Sequence, residues 1–219
     1  MRALTPRIVG ELLAHEGLVP EAYRDSRGVW TWSVGITDAS GHRVGRYRDN
    51  PQSLERCLEV FVWLLTTRYL PAVVAAFGAC DPAEHELAAA LSFHWNTGAL
   101  PRAQWLKRHC AGDRDGARAC FLDWRRPPEV LPRRRKERDL FFDARWSGDG
   151  TVLLYDVAKP SYRPVDPRRI EVASLLATLL PSVPAPEAFL PQDSGPCGPG
   201  VDPQPPAPPR QSWFDRLFD

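Results

Sequence analysis

The chain has 219 residues, 43% of them hydrophobic and 25% charged, which suits a soluble globular domain with an appendage better than two full domains. Twenty-eight basic residues against 27 acidic ones leave a net charge of +1, so no global field favours nucleic acid or an anionic membrane, and any basic patch has to be local. Cys57, Cys80, Cys110, Cys120 and Cys197 lie far apart with no Cys-x-x-Cys pair and no histidine at metal-ligand spacing, which predicts reduced thiols and no structural zinc; no cofactor is expected.

The first element is a helix over "LTPRIVGELLAHEG", with Thr5 as N-cap, Pro6 in its first turn, an apolar face of Ile8, Val9, Leu12 and Leu13, and Gly17 as the stop that leaves Glu16 in the last turn. Charged and polar residues interrupt every apolar run here, so no secretory signal is expected and synthesis is expected in the cytoplasm. "DSRG" at 25 to 28 reads as a turn, and "VWTWSVGI" at 29 to 36, rich in aromatic and β-branched residues, reads as one arm of a hairpin.

Helical patterns follow at 52 to 67, again at 71 to 77 after a break at Arg68 and Pro71, and at 82 to 96, where Asp81, Pro82 and Glu84 give a start signal. The break leaves no run of about 18 apolar residues, so no transmembrane segment is expected. Shorter helices are predicted at 101 to 110, 114 to 124 and 132 to 145, a strand at 151 to 157 and an amphipathic helix at 168 to 180. From Pro181 to Pro209 the chain holds eleven of its 23 prolines, which predicts an extended linker. Beyond it, "QSWFDRLFD" places Trp213, Phe214, Leu217 and Phe218 on one helical face.

The predicted fold class is therefore α+β and predominantly helical, with a small N-terminal β-hairpin lobe, a helical body and a Pro-rich tail. Clefts form readily between two such lobes.

Glu16 and Asp25, nine residues apart, are a candidate acid and base pair. Glycoside hydrolysis needs one protonated carboxyl for the leaving oxygen and one ionised carboxylate to activate water or attack, so the two need different environments. The helix C-terminus and the apolar Leu12, Leu13 and Leu18 favour a protonated Glu16, whereas the polar turn with Arg24 and Arg27 nearby in sequence favours an ionised Asp25. Thr31, six residues on, is placed to hold a water.

"HEGLVPEAYRDSRGVWTWSVG" resembles the N-terminal signature of the bacteriophage-type lysozymes of glycoside hydrolase family 24, matching at Glu16, Gly17, Tyr23, Asp25, Gly28, Thr31 and Gly35. "LAAALSFHWNTGAL" is similar to that family's helix ending in an Asn-x-Gly turn, here Asn96 and Gly98. "PRRRKERDLF" is similar to its Arg-Arg-x-x-Glu-x-x-Leu-Phe segment, through Arg133, Arg134, Glu137, Leu140 and Phe141. The resemblance spans about residues 5 to 145. It implies a lysozyme-like two-lobed fold and a metal-free, inverting muramidase that cleaves the β-1,4 bond between N-acetylmuramic acid and N-acetylglucosamine. In it Glu16 takes the place of the general acid, Asp25 that of the carboxylate acting on water, and Thr31 that of the residue lining the water site. The implied partner is the peptidoglycan glycan strand, and the implied route is that of a monomeric endolysin, made in the host cytoplasm and admitted to the periplasm by a separate pore. The chain departs from the pattern at Ser33 and Ile36, where the family commonly has glycine and histidine. The rival expectation is a catalytically inactive peptidoglycan-binding or virion-associated module on the same scaffold.

Trp30, Trp32, Asn96 and Arg134 are the candidate substrate-binding residues, the tryptophans by stacking on a sugar ring. Either Arg133 or Arg134 is a candidate to turn inward and pair with Glu16. The run from Arg133 to Arg138 is interleaved with acids and reads as a solvated helix rather than a nucleic-acid surface. His42 is a lesser candidate for substrate contact. The expected division is a catalytic domain at 1–146, an extension packing on it at 147–180, a linker at 181–211 and a terminal peptide at 212–219. With two Asp against one Arg, the peptide from Trp213 to Phe218 suits a protein partner better than anionic lipid.

Overall fold

The computed structural model describes residues 3–180, so the expected linker and the terminal peptide lie outside the described residues. Helix α1 (Pro6–Ala14) begins at Thr5, whose hydroxyl accepts from Ile8 N at 3.1 Å, and it buries Ile8, Val9, Leu12 and Leu13. The stop comes earlier than Gly17 suggests: His15 is the C-cap, its N–H bonded to Leu12 O at 3.1 Å, and Glu16 N donates to Leu13 O at 3.1 Å. Glu16 therefore stands one residue past the cap.

The N-terminal sheet has three strands rather than a single hairpin: β1 (Val19–Arg24), β2 (Trp30–Ser33) and β3 (Ile36–Thr37), antiparallel in that order. Tyr23 pairs with Thr31 and Arg24 with Trp30 across the first turn. The second turn begins at Ser33, which takes φ +55°, and passes through Gly35 at φ +86°.

Helix α2 (Leu54–Leu64) is capped by Ser53, whose Oγ accepts from Arg56 N at 3.2 Å. The expected break at Arg68 and Pro71 is absent. A widened π turn over Leu65–Tyr69 leads directly into α3 (Leu70–Phe77), giving one helix of 24 residues. Pro71 has no N–H to close an α-turn, and the widened turn before it accommodates the ring without ending the helix. By length and mean hydropathy this helix could span a bilayer, but Leu58, Phe61, Leu64, Leu65 and Val73 pack into the core.

Helix α4 (Glu84–Thr97) is the central helix, buried almost along its whole length. Its N-cap is Ala83 rather than Asp81; the Glu86 carboxylate accepts from Ala83 N at 2.9 Å, and Gly98 at φ +62° ends it. Helices α5 (Gln104–Cys110), α6 (Arg114–Phe121) and α7 (Leu131–Asp143) surround it, with Phe93, Trp105, Phe121 and Phe141 meeting edge-to-face or tilted in the core.

The chain then forms an antiparallel hairpin of β4 (Thr151–Ala158) and β5 (Arg163–Glu171) and ends in α8 (Ala173–Leu179). The strand β5 corrects the expectation of a helix from residue 168. The helical periodicity belongs only to the stretch after Val172, and the Arg- and Pro-rich segment before it pairs with β4. Pro164 and Pro167 are tolerated because β5 is the outer strand of a two-stranded sheet, with a register shift between Leu154 and Asp156. The hairpin lies against β1 through a parallel bridge, Leu18 N donating to Leu153 O at 2.8 Å and Tyr155 N to Leu18 O at 2.9 Å. Glu11 on α1 is tied to the segment before β4, accepting from Ser147 N at 2.9 Å, Ser147 Oγ at 2.6 Å and Gly148 N at 2.7 Å. The described architecture is thus mixed α and β and mainly helical, with the small sheet at the N-terminus.

Candidate active site

Glu16 follows the end of α1 and is 6% exposed. Arg133 on α7, rather than Arg134, is the guanidinium that meets Glu16: its Nη1 donates to Glu16 Oε1. Arg133 is itself fixed by Glu137, through Nε to Oε1 at 2.9 Å, and by Ser92 on α4, through Nη2 to Oγ at 3.2 Å and to the carbonyl at 3.3 Å. Ser92 Oγ in turn donates to Glu137 Oε1 at 2.7 Å. A buried pair holds only when the remaining donors and acceptors are satisfied, and this network satisfies them from α4 and α7 together. The other carboxylate oxygen faces Gly35: a Cβ built there would lie 3.7 Å from Glu16 Oε2, so a longer side chain at this position would cover the oxygen.

Arg134 is fully enclosed, with Nη1 2.5 Å from Glu137 Oε2, Nη2 donating to Asn96 Oδ1 at 2.5 Å and its guanidinium 4.8 Å from the Phe93 ring centroid. It is a structural cation, which corrects its expected contact with substrate. Asn96 is 6% exposed and serves as Arg134's acceptor.

Asp25 occupies the turn between β1 and β2. Gly28 N donates to its carbonyl at 3.0 Å, while its Oδ1 accepts from Arg27 N at 2.9 Å and Val29 N at 2.8 Å, which orients the carboxylate and leaves it half-exposed. Thr31 is 3% exposed and its hydroxyl donates to Val29 O at 3.2 Å. Tyr23, between the two acids in sequence, senses both. Its buried hydroxyl is pushed well above the usual tyrosine range by burial first and then by the charges of Glu16 and Asp25. The helix end and the turn thus lie at the two ends of β1.

The tryptophans separate. Trp32 is wholly buried, stacked on Tyr47 at 3.8 Å between centroids with its Nε1 donating to Pro20 O at 2.8 Å, so its faces are closed to a sugar and the expectation of stacking is corrected. The loop carrying Tyr47, distant in sequence, is what covers it. His42 joins the same stack, its Nε2 2.8 Å from the Tyr47 hydroxyl, and burial followed by Arg46 and Arg56 brings it down to about 4, so it is a neutral packing residue. Trp30 is half-buried, with the Arg24 guanidinium 4.6 Å from its ring centroid and the Tyr162 ring edge-on at 5.0 Å.

A cavity of about 290 Å³ borders Glu16 and Gly17 and is lined on its other sides by Lys136, Ser147, Asp149 and Arg169. Asp25 and Thr31 are not among its lining residues. No group of three metal-ligating side chains occurs among the described residues. Sequence reasoning missed the hairpin's part in the site's surroundings, since nothing in residues 147–171 carries a catalytic motif.

Comparison with solved structures finds the same fold in an endolysin from an Escherichia coli O157:H7 phage, 22% identical over 67% of this chain and 96% of that one with a TM-score of 0.55. A mutant of the P22 lysozyme is 26% identical over 64% of this chain and 99% of that one, with a TM-score of 0.54. No curated protein sequence matches. The family model described as phage lysozyme matches residues 13–138, a span that contains Glu16, Asp25, Thr31, Arg133 and Glu137. The chain belongs to the phage lysozyme family.

Proposed function

We propose that the protein is a muramidase that hydrolyses the β-1,4 bond between N-acetylmuramic acid and N-acetylglucosamine in peptidoglycan, acting as an endolysin in host-cell lysis. The observation that carries this reading is Glu16, enclosed and held by the Arg133, Glu137 and Ser92 network at one end of β1, with the Asp25 carboxylate oriented by its own turn at the other. In the reaction Glu16 gives its proton to the leaving glycosidic oxygen, and Asp25 takes a proton from the water that attacks the anomeric carbon. Thr31, with its hydroxyl beside the Asp25 turn, lines the position of that water. Attack from the opposite face inverts the anomer, a geometry that requires roughly 6.5–9.5 Å between the carboxyls. Arg133 fixes which oxygen of Glu16 is engaged and which faces Gly35.

The Glu16→Gln variant is expected to lose clearing of purified Gram-negative cell walls by about 10²- to 10⁴-fold. Equal clearing by both proteins would overturn the reading in favour of a binding module. Inversion is checked by NMR of the first products, which should carry the α-anomer. The endolysin role predicts lysis of expressing cells only when a membrane pore is supplied.

A further inference from the structure

Residues 139–180 lie beyond the segment that defines the family, yet the hairpin β4–β5 is bonded to both ends of the strand that separates the two carboxylates. At the Glu16 end, Leu18 gives its N–H to Leu153 O at 2.8 Å and takes Tyr155 N–H at 2.9 Å. At the Asp25 end, Arg24 N donates to Tyr162 O at 2.7 Å. Between these ends Val19, Tyr23 and Tyr155 form a small apolar cluster of their own.

The Asp25 end is held most densely. The Tyr162 ring meets Trp30 edge-on at 5.0 Å, its hydroxyl donates to Asp49 at 2.9 Å and accepts from Arg48 Nε at 3.2 Å, and Lys159 beside it pairs with Glu21 and, at 2.6 Å, with Asp49. Tyr162 also sits at φ +56°, a conformation unfavourable to a non-glycine residue that persists only where surrounding contacts impose it.

We infer that the hairpin is a splint across β1 that sets the separation of the Glu16 and Asp25 carboxylates, with Tyr162 as the positioning residue at the Asp25 end. The inference rests on the catalytic reading of those two acids. An inverting reaction tolerates only a narrow range of separations, so loosening one end of β1 slows the chemical step while leaving sugar binding largely intact.

The test uses the full chain on soluble peptidoglycan oligosaccharides. Tyr162→Ala is expected to lower kcat about 10- to 100-fold with KM within about twofold of wild type, while its melting transition stays above the assay temperature. Tyr162→Phe, which keeps the ring on Trp30, is expected to recover most of kcat. In the unaltered protein the Leu18, Tyr155 and Arg24 amides are expected to exchange with solvent as slowly as the β1–β2 ladder. A Tyr162→Ala enzyme with kcat within twofold of wild type, a loss explained by the unfolded fraction alone, failure of the Phe variant to recover activity, or fast exchange at Arg24 would each overturn the splint. Activity surviving in Glu16→Gln would instead overturn the catalytic reading beneath it.

Discussion

At Ser33 the chain puts a side chain into a left-handed conformation, φ +55°, at the position where the resemblance implied glycine. The residue is fully buried and its hydroxyl donates to Cys57 O at 3.2 Å, so a hydrogen bond to α2 offsets a backbone that glycine would adopt freely. The two effects are each worth about 1 kcal/mol, so Ser33→Gly is expected to unfold in urea within about 1 kcal/mol of wild type. Ser33→Ala keeps the strain and loses the donor, and is expected to be less stable by about 1–2 kcal/mol in the same titration. The departure from the family pattern thus changes how the turn is held while leaving Gly35 open beside Glu16.

Among the elements, α1 announced itself through its Thr5 cap and the end of α4 through Asn96 and Gly98, whereas Ser53, which caps α2, lies inside the helical pattern read at 52 to 67. The start of α4 was misplaced because Asp81 and Pro82 offer a start signal two residues before the true one. Strand β5 was illegible for a different reason: it buries no continuous face, so the period-two alternation that identifies a strand is missing. The contact between α1 and the segment leading into β4 carries its own pH dependence. Burial works to raise the Glu11 carboxyl, but His15, Ser147 and Gly148 outweigh it and bring it from 4.5 down to about 2. A value depressed by folding means stabilisation that is complete above pH 4.5 and is lost as pH falls towards 2. The full effect is at most roughly 3 kcal/mol. Glu11→Gln is therefore expected to melt lower than wild type at neutral pH, with the gap between the two narrowing as pH falls from 4.5 towards 2.

For the molecule as a whole, the three motifs of the sequence pointed to two candidate acids but did not decide which groups hold them. Either Arg133 or Arg134 fitted the pattern, and only the packing of α7 on α4 decides that the first meets Glu16 and the second meets Asn96. Residues 147–179 carried no motif, yet they cover β1 and α1. Leu176 on α8 is buried and lies 4.0 Å from where a side chain on Gly10 would begin. Leu176→Ala is expected to cost about 2–4 kcal/mol in a single cooperative transition; a separate early transition would show the extension to be an independent unit. The pairing of Glu16 with Arg133 spans 117 positions of sequence. During synthesis Glu16 leaves the ribosome long before Arg133, so a nascent or prematurely terminated chain has nothing to hold that carboxylate. On the proposed function, a chain that ends before Arg133 is expected to be made without lysing the cell that makes it.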